Sequence, residues 1–459
     1  MSRSKILVFL LSVYAIIAGI CLAVPSDGIN VGSLTFIAPS VKELFSSAEK
    51  APQGPTPEEI IAAQAAAVQQ AEKDKFLEYF RENPARIHFP GDDVTLLDPF
   101  FASLDAAARK PVRILHYGDS QIEEDRISST IRAGLQKRFG GGGPGLLPFG
   151  RPYYTVNFSE SSTANLGRAI VFGEGTRRSD GRYGVMGQLS RIDTSVYTTV
   201  AAVKSNDKPS RHFNRFTLLA GNVSSLNVKL GGKQYKLDKT TGAEVRRLEI
   251  ALPDSSSSVR FSAWGSADIF GISLDDTLGV SVDNIPMRGC SGTIFTRINA
   301  SQLKEYASAG NVRLIILQFG GNAMPYRTGA KSISEYKSQL EKQILYLKQV
   351  VPGAQILFVG PSDMSTSVRG KMQTYPHLPM MVDSLKAAAN NCGAAFWDMY
   401  SAMGGENSMV SWVKARPQLA GSDYVHFTPR GAEAIGNMLY ESLMLYYDYY
   451  RWRKDGKKD

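Results

Sequence analysis

Two short segments, far apart in the chain, hold the residue types of a hydroxyl nucleophile and its base. Ser120 closes the triplet Gly118-Asp119-Ser120 at the end of the apolar run "VRILHYG". Asp423-x-x-His426 lies in "GSDYVHFTPRGAEAIG", just ahead of a helical pattern. A serine hydroxyl is a weak nucleophile until an adjacent base takes its proton. The spacing on one loop lets Asp423 accept from one imidazole nitrogen and leaves the other for the serine. The bland alternative is a turn or a helix cap, since Gly, Asp and Ser serve both.

The five histidines leave few other bases. His88 precedes the sheet pattern, His212 falls in a β-rich interval, and His377 sits in a Pro-flanked loop. His116 lies within the strand before Ser120, where a core position is expected. The Gly-x-Ser-x-Gly elbow of general α/β-hydrolases is absent, because the stretch reads Gly118-Asp119-Ser120-Gln121-Ile122. No Cys/His cluster has zinc spacing, and "FGGGGPG" (139–145) lacks the Lys-Ser/Thr of a phosphate loop. Neither a metal nor another cofactor is expected.

The elements that must position these residues follow from periodicity. Short apolar runs at "VRILHYG", "VRLIILQFG" (312–320), "AQILFVG" (354–360) and "AAFWDM" (394–399) read as buried strands. Helical spacing lies over 122–139, 333–351 and 380–391, and a last helix runs from Pro429, a good first-turn residue, towards Tyr450. Alternating strands and helices indicate a parallel sheet covered on both faces. The interval of about 151–280 breaks this rhythm. Its runs "RFTLLAG", "SLNVKLGG", "RRLEIAL" and "SVRFSAWG" alternate and are parted by turn residues, as in a β-sandwich. Its aromatics Tyr183, Tyr197, Phe213, Phe216 and Trp264 are expected mostly in its core, with the module walling a substrate groove.

Hydrophobic residues make up 43% of the 459 and charged residues 21%, an ordinary globular balance. The net charge of +9 is dispersed. Its densest cluster, Arg451, Arg453, Lys454, Lys457 and Lys458, reads as a solvated end, so nucleic acid is not an expected partner. An anionic wall polymer or membrane surface fits the charge. Cys21 lies in the N-terminal apolar run, and Cys290 and Cys392 are expected as free buried thiols. Arg3 and Lys5 precede the uncharged stretch Ile6–Val24, long enough for a membrane span and longer than a usual secretory core. Residues 1–24 therefore read as a signal anchor, basic end inside, or a signal peptide; either way the remainder is exported. Residues 25–105 read as a linker and a helical stretch, a stalk or a helix packed on the body.

Taken in order, Gly118-Asp119-Ser120, Gly289 in "MRGCSG" (287–292), Asn322 in "LQFGGNAM" (317–324) and Asp423-x-x-His426 resemble the four blocks of the SGNH (GDSL) hydrolase superfamily. The resemblance covers about 110–150 and 280–450. It implies an α/β, three-layer parallel-sheet SGNH hydrolase fold, in two parts over 106–150 and 281–459, around the β-sandwich of 151–280. It further implies Ser120, His426 and Asp423 as the catalytic set. The Ser120 amide, the Gly289 amide and the Asn322 side chain would form the oxyanion hole, with Gly292 close to Gly289. A neutral amide such as Asn322 stabilises an oxyanion without titrating. Two positions depart from the family. Gln121 replaces the usual Leu and is expected to be neutral, whereas Ala323 stands where Asp or Glu is usual and questions the support of the Asn322 loop.

Within the superfamily, an exported chain with this insertion looks like the bacterial peptidoglycan O-acetylesterases, whose inserted module resembles carbohydrate-binding modules. The expected activity is removal of O-acetyl groups from a cell-envelope glycan, the acetylated glycan being the partner. The alternatives are a lipid esterase or lysophospholipase, a glycan O-acetyltransferase, and a non-catalytic glycan-binding protein.

Overall fold

A computed structural model describes residues 3–25, 27–32, 34–38, 57–150, 155–163 and 166–456. Residues 39–56, most of the expected linker, residues 151–154 and the tail lysines Lys457 and Lys458 lie outside the described residues. The chain divides into two units, 1–75 and 76–459. The first holds helix α1 (Arg3–Ala23) and the hairpin β1 (Ile29–Val31) and β2 (Leu34–Phe36). Ser4–Ala23 has a mean hydropathy of 2.8 and is long enough to cross a membrane. Helix α2 (Pro57–Glu82) ends in the second unit.

Along the second unit come β3 (Ile87–His88), α3 (Asp98–Asp105), β4 (Val112–Gly118) and α4 (Ser128–Phe139). Nine strands follow: β5 (Gly145–Leu147), β6 (Phe158–Ser162), β7 (Gly167–Ile170), β8 (Gln188–Ile192), β9 (Ser195–Ala202), β10 (Phe213–Leu230), β11 (Lys233–Leu237), β12 (Arg246–Ser256) and β13 (Ser258–Asp275). The α/β pattern resumes with β14 (Val280–Pro286), α5 (Ala300–Ala309), β15 (Val312–Gln318), α6 (Ala330–Val350) and β16 (Gln355–Val359). It ends with the hairpin β17 (Ser365–Val368) and β18 (Lys371–Thr374), α7 (Leu378–Asn391), β19 (Ala395–Trp397), α8 (Met399–Ala402), α9 (Ser408–Lys414) and α10 (Pro429–Asp455).

Six strands form the central sheet in the order β14-β4-β15-β16-β19-β3, all parallel except β3. Every residue of β4 is buried, as a strand covered on both faces requires. Alternate side chains serve opposite layers. Ile114, Leu314 and Ile316 pack with Ile131 and Leu135 of α4 and Ile435 and Leu439 of α10. Leu115, Ile315 and Leu317 face Leu340 and Ile344 of α6 and Val382 and Leu385 of α7. Three layers result. From Phe76 onward α2 packs on α10, with the Phe80 and Tyr446 rings stacked 4.3 Å apart. The basic end of α10 is paired rather than merely solvated: Arg453 meets Asp98 at 2.7 Å, and Lys454 meets Asp105 at 2.9 Å.

The nine strands β5–β13 make a separate antiparallel sheet. β10 and β13, 18 residues each, run through all of it. The first half of β10 pairs with β12 and its end with β11, while β13 pairs in turn with β9, β8 and β5. Register shifts at Leu219/Ala220 and Gly221/Ser225 bend the pair. Opposite the bend, Gly265 has φ +128°, and a Cβ there would stand 2.2 Å from the Ser225 carbonyl oxygen. The sheet thus closes on a core of its own that includes Phe216, Val228, Phe261, Ile269 and Leu274. Tyr183 and Phe213 are buried as well, whereas Tyr197 is exposed and Trp264 half-buried.

One buried ionic cluster joins the two sheets. The Arg113 guanidinium of β4 pairs with Asp283 of β14 at 2.5 Å and with Asp275 at the end of β13. Tyr306 donates to Asp283 at 2.7 Å, the Leu146 amide donates to it at 2.9 Å, and Arg215 meets Asp275 at 2.8 Å. Burial alone would push the Asp275 carboxyl up, but Arg113 and Arg215 hold it below the usual range. Arg113→Met should lower stability by about 3–5 kcal/mol, because it leaves buried carboxylates without their cation. Denaturant unfolding reads this directly, and an unchanged midpoint would remove the cluster from the fold's essential contacts.

Candidate active site

The adjacent strands β14, β4 and β15 deliver the candidate residues from their carboxyl ends, where open α/β sheets place their sites. Gly289 follows β14, Ser120 follows β4, and Asn322 follows β15. His426 comes from the loop before α10, whose start is capped by Thr428 accepting from the Gly431 amide. The Ser120 Oγ and His426 Nε2 are 2.8 Å apart, and His426 Nδ1 lies 2.7 Å from Asp423 Oδ2. Asp423 Oδ1 also accepts from the Val425 and His426 amides, each at 3.0 Å. Burial pushes the Asp423 carboxyl up, yet these hydrogen bonds win and hold it below the usual carboxylate range. An ionised Asp423 keeps the proton on Nδ1, so Nε2 can accept from the serine hydroxyl.

Ser120, Gly289, Asn322 and His426 all line one cavity of about 580 Å³. Gly289 has φ +75°, and among the described residues a Cβ there would meet, chain neighbours aside, the Phe172 ring at 3.8 Å. Gly292 also has a positive φ, but its Cβ would stand 2.8 Å from the Phe319 ring. Gly292 is therefore a packing position, and Gly289 the one beside the cavity. The Asn322 amide donates to Asp119 Oδ2 at 2.9 Å, with a longer contact of 3.4 Å to the Cys290 carbonyl. This brace replaces the support that Ala323, buried and apolar, cannot supply. Burial raises the Asp119 carboxyl to about 6, opposed by the Gln121 amide, the His426 charge and Asn322.

His116 is fully buried and bonded elsewhere, to Ser128 at 2.8 Å and Gln318 at 3.1 Å. Burial lowers it to about 4. The three cysteines are free, and burial pushes the Cys290 thiol up to about 12. Among the described residues, no group of three or more His, Cys, Asp or Glu side chains could hold a metal ion.

Two residues beside the site escape a reading of sequence alone. Gln121, expected to be a neutral departure, donates to the Val425 carbonyl at 2.7 Å and accepts from the Phe427 amide at 3.5 Å. Its carboxamide thus brackets His426 from both sides, which the usual leucine cannot do. Arg126 donates to the Ser120 carbonyl at 2.9 Å and to the Phe427 carbonyl at 3.1 Å, tying the serine loop to the histidine loop. The helix expected from 122 begins only at Ser128. Glu124 and Asp125 turn into positive φ before it, and Asp125 then pairs with buried Arg132 at 2.7 Å. A polar residue directly after the serine was the only sequence signal for Gln121.

Residues 254–434 match the GDSL-like Lipase/Acylhydrolase family. By sequence, no curated protein matches the chain. A solved peptidoglycan O-acetylesterase shares the fold with a TM-score of 0.63 at 21% identity, over 77% of this chain and 96% of its own. A family two carbohydrate esterase from Clostridium thermocellum, solved with cellohexaose, aligns at 8% identity and a TM-score of 0.25, over 57% of this chain and 95% of its own.

Ser120→Ala and His426→Ala should each bring hydrolysis of an activated ester to background, with the double variant no worse than either single one. Retained activity in His426→Ala would assign the base elsewhere. Gln121→Leu should leave Ser120 in place but lower kcat by about tenfold, the cost of two bonds that orient the imidazole. An unchanged kcat would reduce Gln121 to a packing role.

Proposed function

We propose that this chain, whose residues 254–434 match the GDSL-like Lipase/Acylhydrolase family, is a carboxylic ester hydrolase of the SGNH (GDSL) type that removes O-acetyl groups from peptidoglycan or another cell-envelope glycan. The carrying observation is the Ser120–His426–Asp423 relay opening into a cavity that also holds Gly289 and Asn322. Ser120 Oγ attacks the acetyl carbonyl while His426 Nε2 takes its proton and Asp423 steadies the imidazolium. The oxyanion lies among the Ser120 amide, the Gly289 amide and the Asn322 side chain. His426 returns the proton to the departing sugar oxygen. A water then attacks the acyl-enzyme, with His426 again as base, and acetate leaves.

The shared fold with a peptidoglycan O-acetylesterase supports a glycan as the acetyl carrier. The antiparallel module over 145–275 serves as a carbohydrate-binding-like domain in this reading. The net charge of +9 suits an anionic envelope polymer. Arg3 and Lys5 ahead of the apolar part of α1 support an anchor in the inner membrane, with the body outside the cytoplasm.

The test is a panel of esters of increasing acyl length together with O-acetylated peptidoglycan. Acetate should be the fastest acyl group, and acetate should be released from the polymer. Rates that rise with chain length would replace the glycan by a lipid substrate.

A further inference from the structure

A second cavity, of about 630 Å³, lies beside the catalytic one. Glu123, Glu124 and Arg288 line both, so the two adjoin across these side chains. Arg288 and Glu123 are ion-paired at 2.6 Å on the shared rim. The far wall belongs to the antiparallel module and includes Arg168, Phe172, Glu174 and Gln188. Phe172 is half-buried, and among the described residues, chain neighbours aside, its ring is the group within 4 Å of a Cβ built on Gly289. The module therefore places an aromatic ring beside the candidate oxyanion glycine.

The chemistry of this groove selects its occupant. Five charged side chains surround one aromatic ring: Arg168 and Arg288 against Glu123, Glu124 and Glu174. An acyl chain lying here would desolvate those charges without pairing them. The mixed signs favour neither a strong anion nor a cation. A pyranose has what the groove offers partners for: a C–H face for the ring, and hydroxyls for the carboxylates and for the hydrogen-bonded Arg168 and Gln188.

We infer that Phe172 forms a subsite for a second sugar ring of the polymer, the one next to the acetylated residue. The inference rests on the acetylated-glycan reading and adds the place where the chain beyond the ester is held. Binding energy gained on Phe172 is then available to orient the reacting carbonyl over Ser120.

The test uses the full chain with Phe172→Ala and Phe172→Tyr. On p-nitrophenyl acetate, Phe172→Ala should stay within about twofold of the wild type, whereas kcat/KM on O-acetylated peptidoglycan should fall by about tenfold or more. Phe172→Tyr keeps the ring and should restore it. Equal rates on both substrates, or an equal loss on both, would overturn the subsite, the latter by making Phe172 a support for Gly289. Co-sedimentation with de-O-acetylated peptidoglycan reads the subsite without the esterase reaction. Weaker sedimentation of Phe172→Ala supports the subsite, even if the wild type releases no acetate and the esterase reading fails. Unchanged sedimentation overturns it.

Discussion

Arg113 is the residue through which the two sheets hold one another. It begins the strand whose other end delivers Ser120, and its guanidinium is shared between Asp283 of the neighbouring strand and Asp275 of the antiparallel module. A fully buried cation is tolerable only with paired and hydrogen-bonded counter-charges, and here Tyr306, Arg215 and the Leu146 amide complete the set. The cluster specifies which carboxylates must meet, so a slip of β14 against β4 would strand a charge in the core. The positions of Gly289 and Ser120, at the ends of those same two strands, follow from that register.

The opposite end of the sheet uses neutral and singly charged hydrogen bonds to the same end. Of the chain segments that meet at the cavity, those of Ser120, Asn322 and His426 are tied to one another by side chains that do not react. Asp119 holds Asn322, Gln121 brackets His426, and Arg126 joins the carbonyls of Ser120 and Phe427. Such ties lessen the reorganisation needed when charge develops, which is where preorganised sites gain their rate. Asp119 shows what this costs the fold. Its carboxyl is buried and raised to about 6, so the fold loses stability as the pH rises from the ordinary carboxylate range to about 6, and above that the ionised group that orients the Asn322 amide carries the full cost.

The antiparallel module is more than an appendage in this architecture. Its long strands β10 and β13 give it a core of its own, yet the end of β13 returns through Asp275 into the Arg113 cluster. The loop after β7 reaches the other way and sets Phe172 beside Gly289. The module is thus held at the start of β4 and β14 and presents a surface at their ends.

Periodicity and residue type by themselves determined a good deal. Buried parallel strands must be apolar on both faces, so "VRILHYG", "VRLIILQFG" and "AQILFVG" announced β4, β15 and β16 without reference to any partner. Asp423 and His426 lie within one turn of chain, so their pairing was a local property, and Ser120 was marked by its place at a strand end. Tertiary structure alone decided the rest. The edge strand β14 carries Asp283 and Asn284, polar residues that spoil its pattern and find their partners across the fold, Asp283 in Arg113, Tyr306 and the Leu146 amide and Asn284 in Ser128. The choice of Gly289 over Gly292 depended on the Phe319 ring, the value of Gln121 on the backbone of a loop some three hundred positions away, and the place of Phe172 on how one sheet docks on another. Burial leaves a period in sequence, because neighbours along an element share an environment. Partners brought together from distant segments leave none, because the bond that makes each residue matter exists only after both have been folded into place.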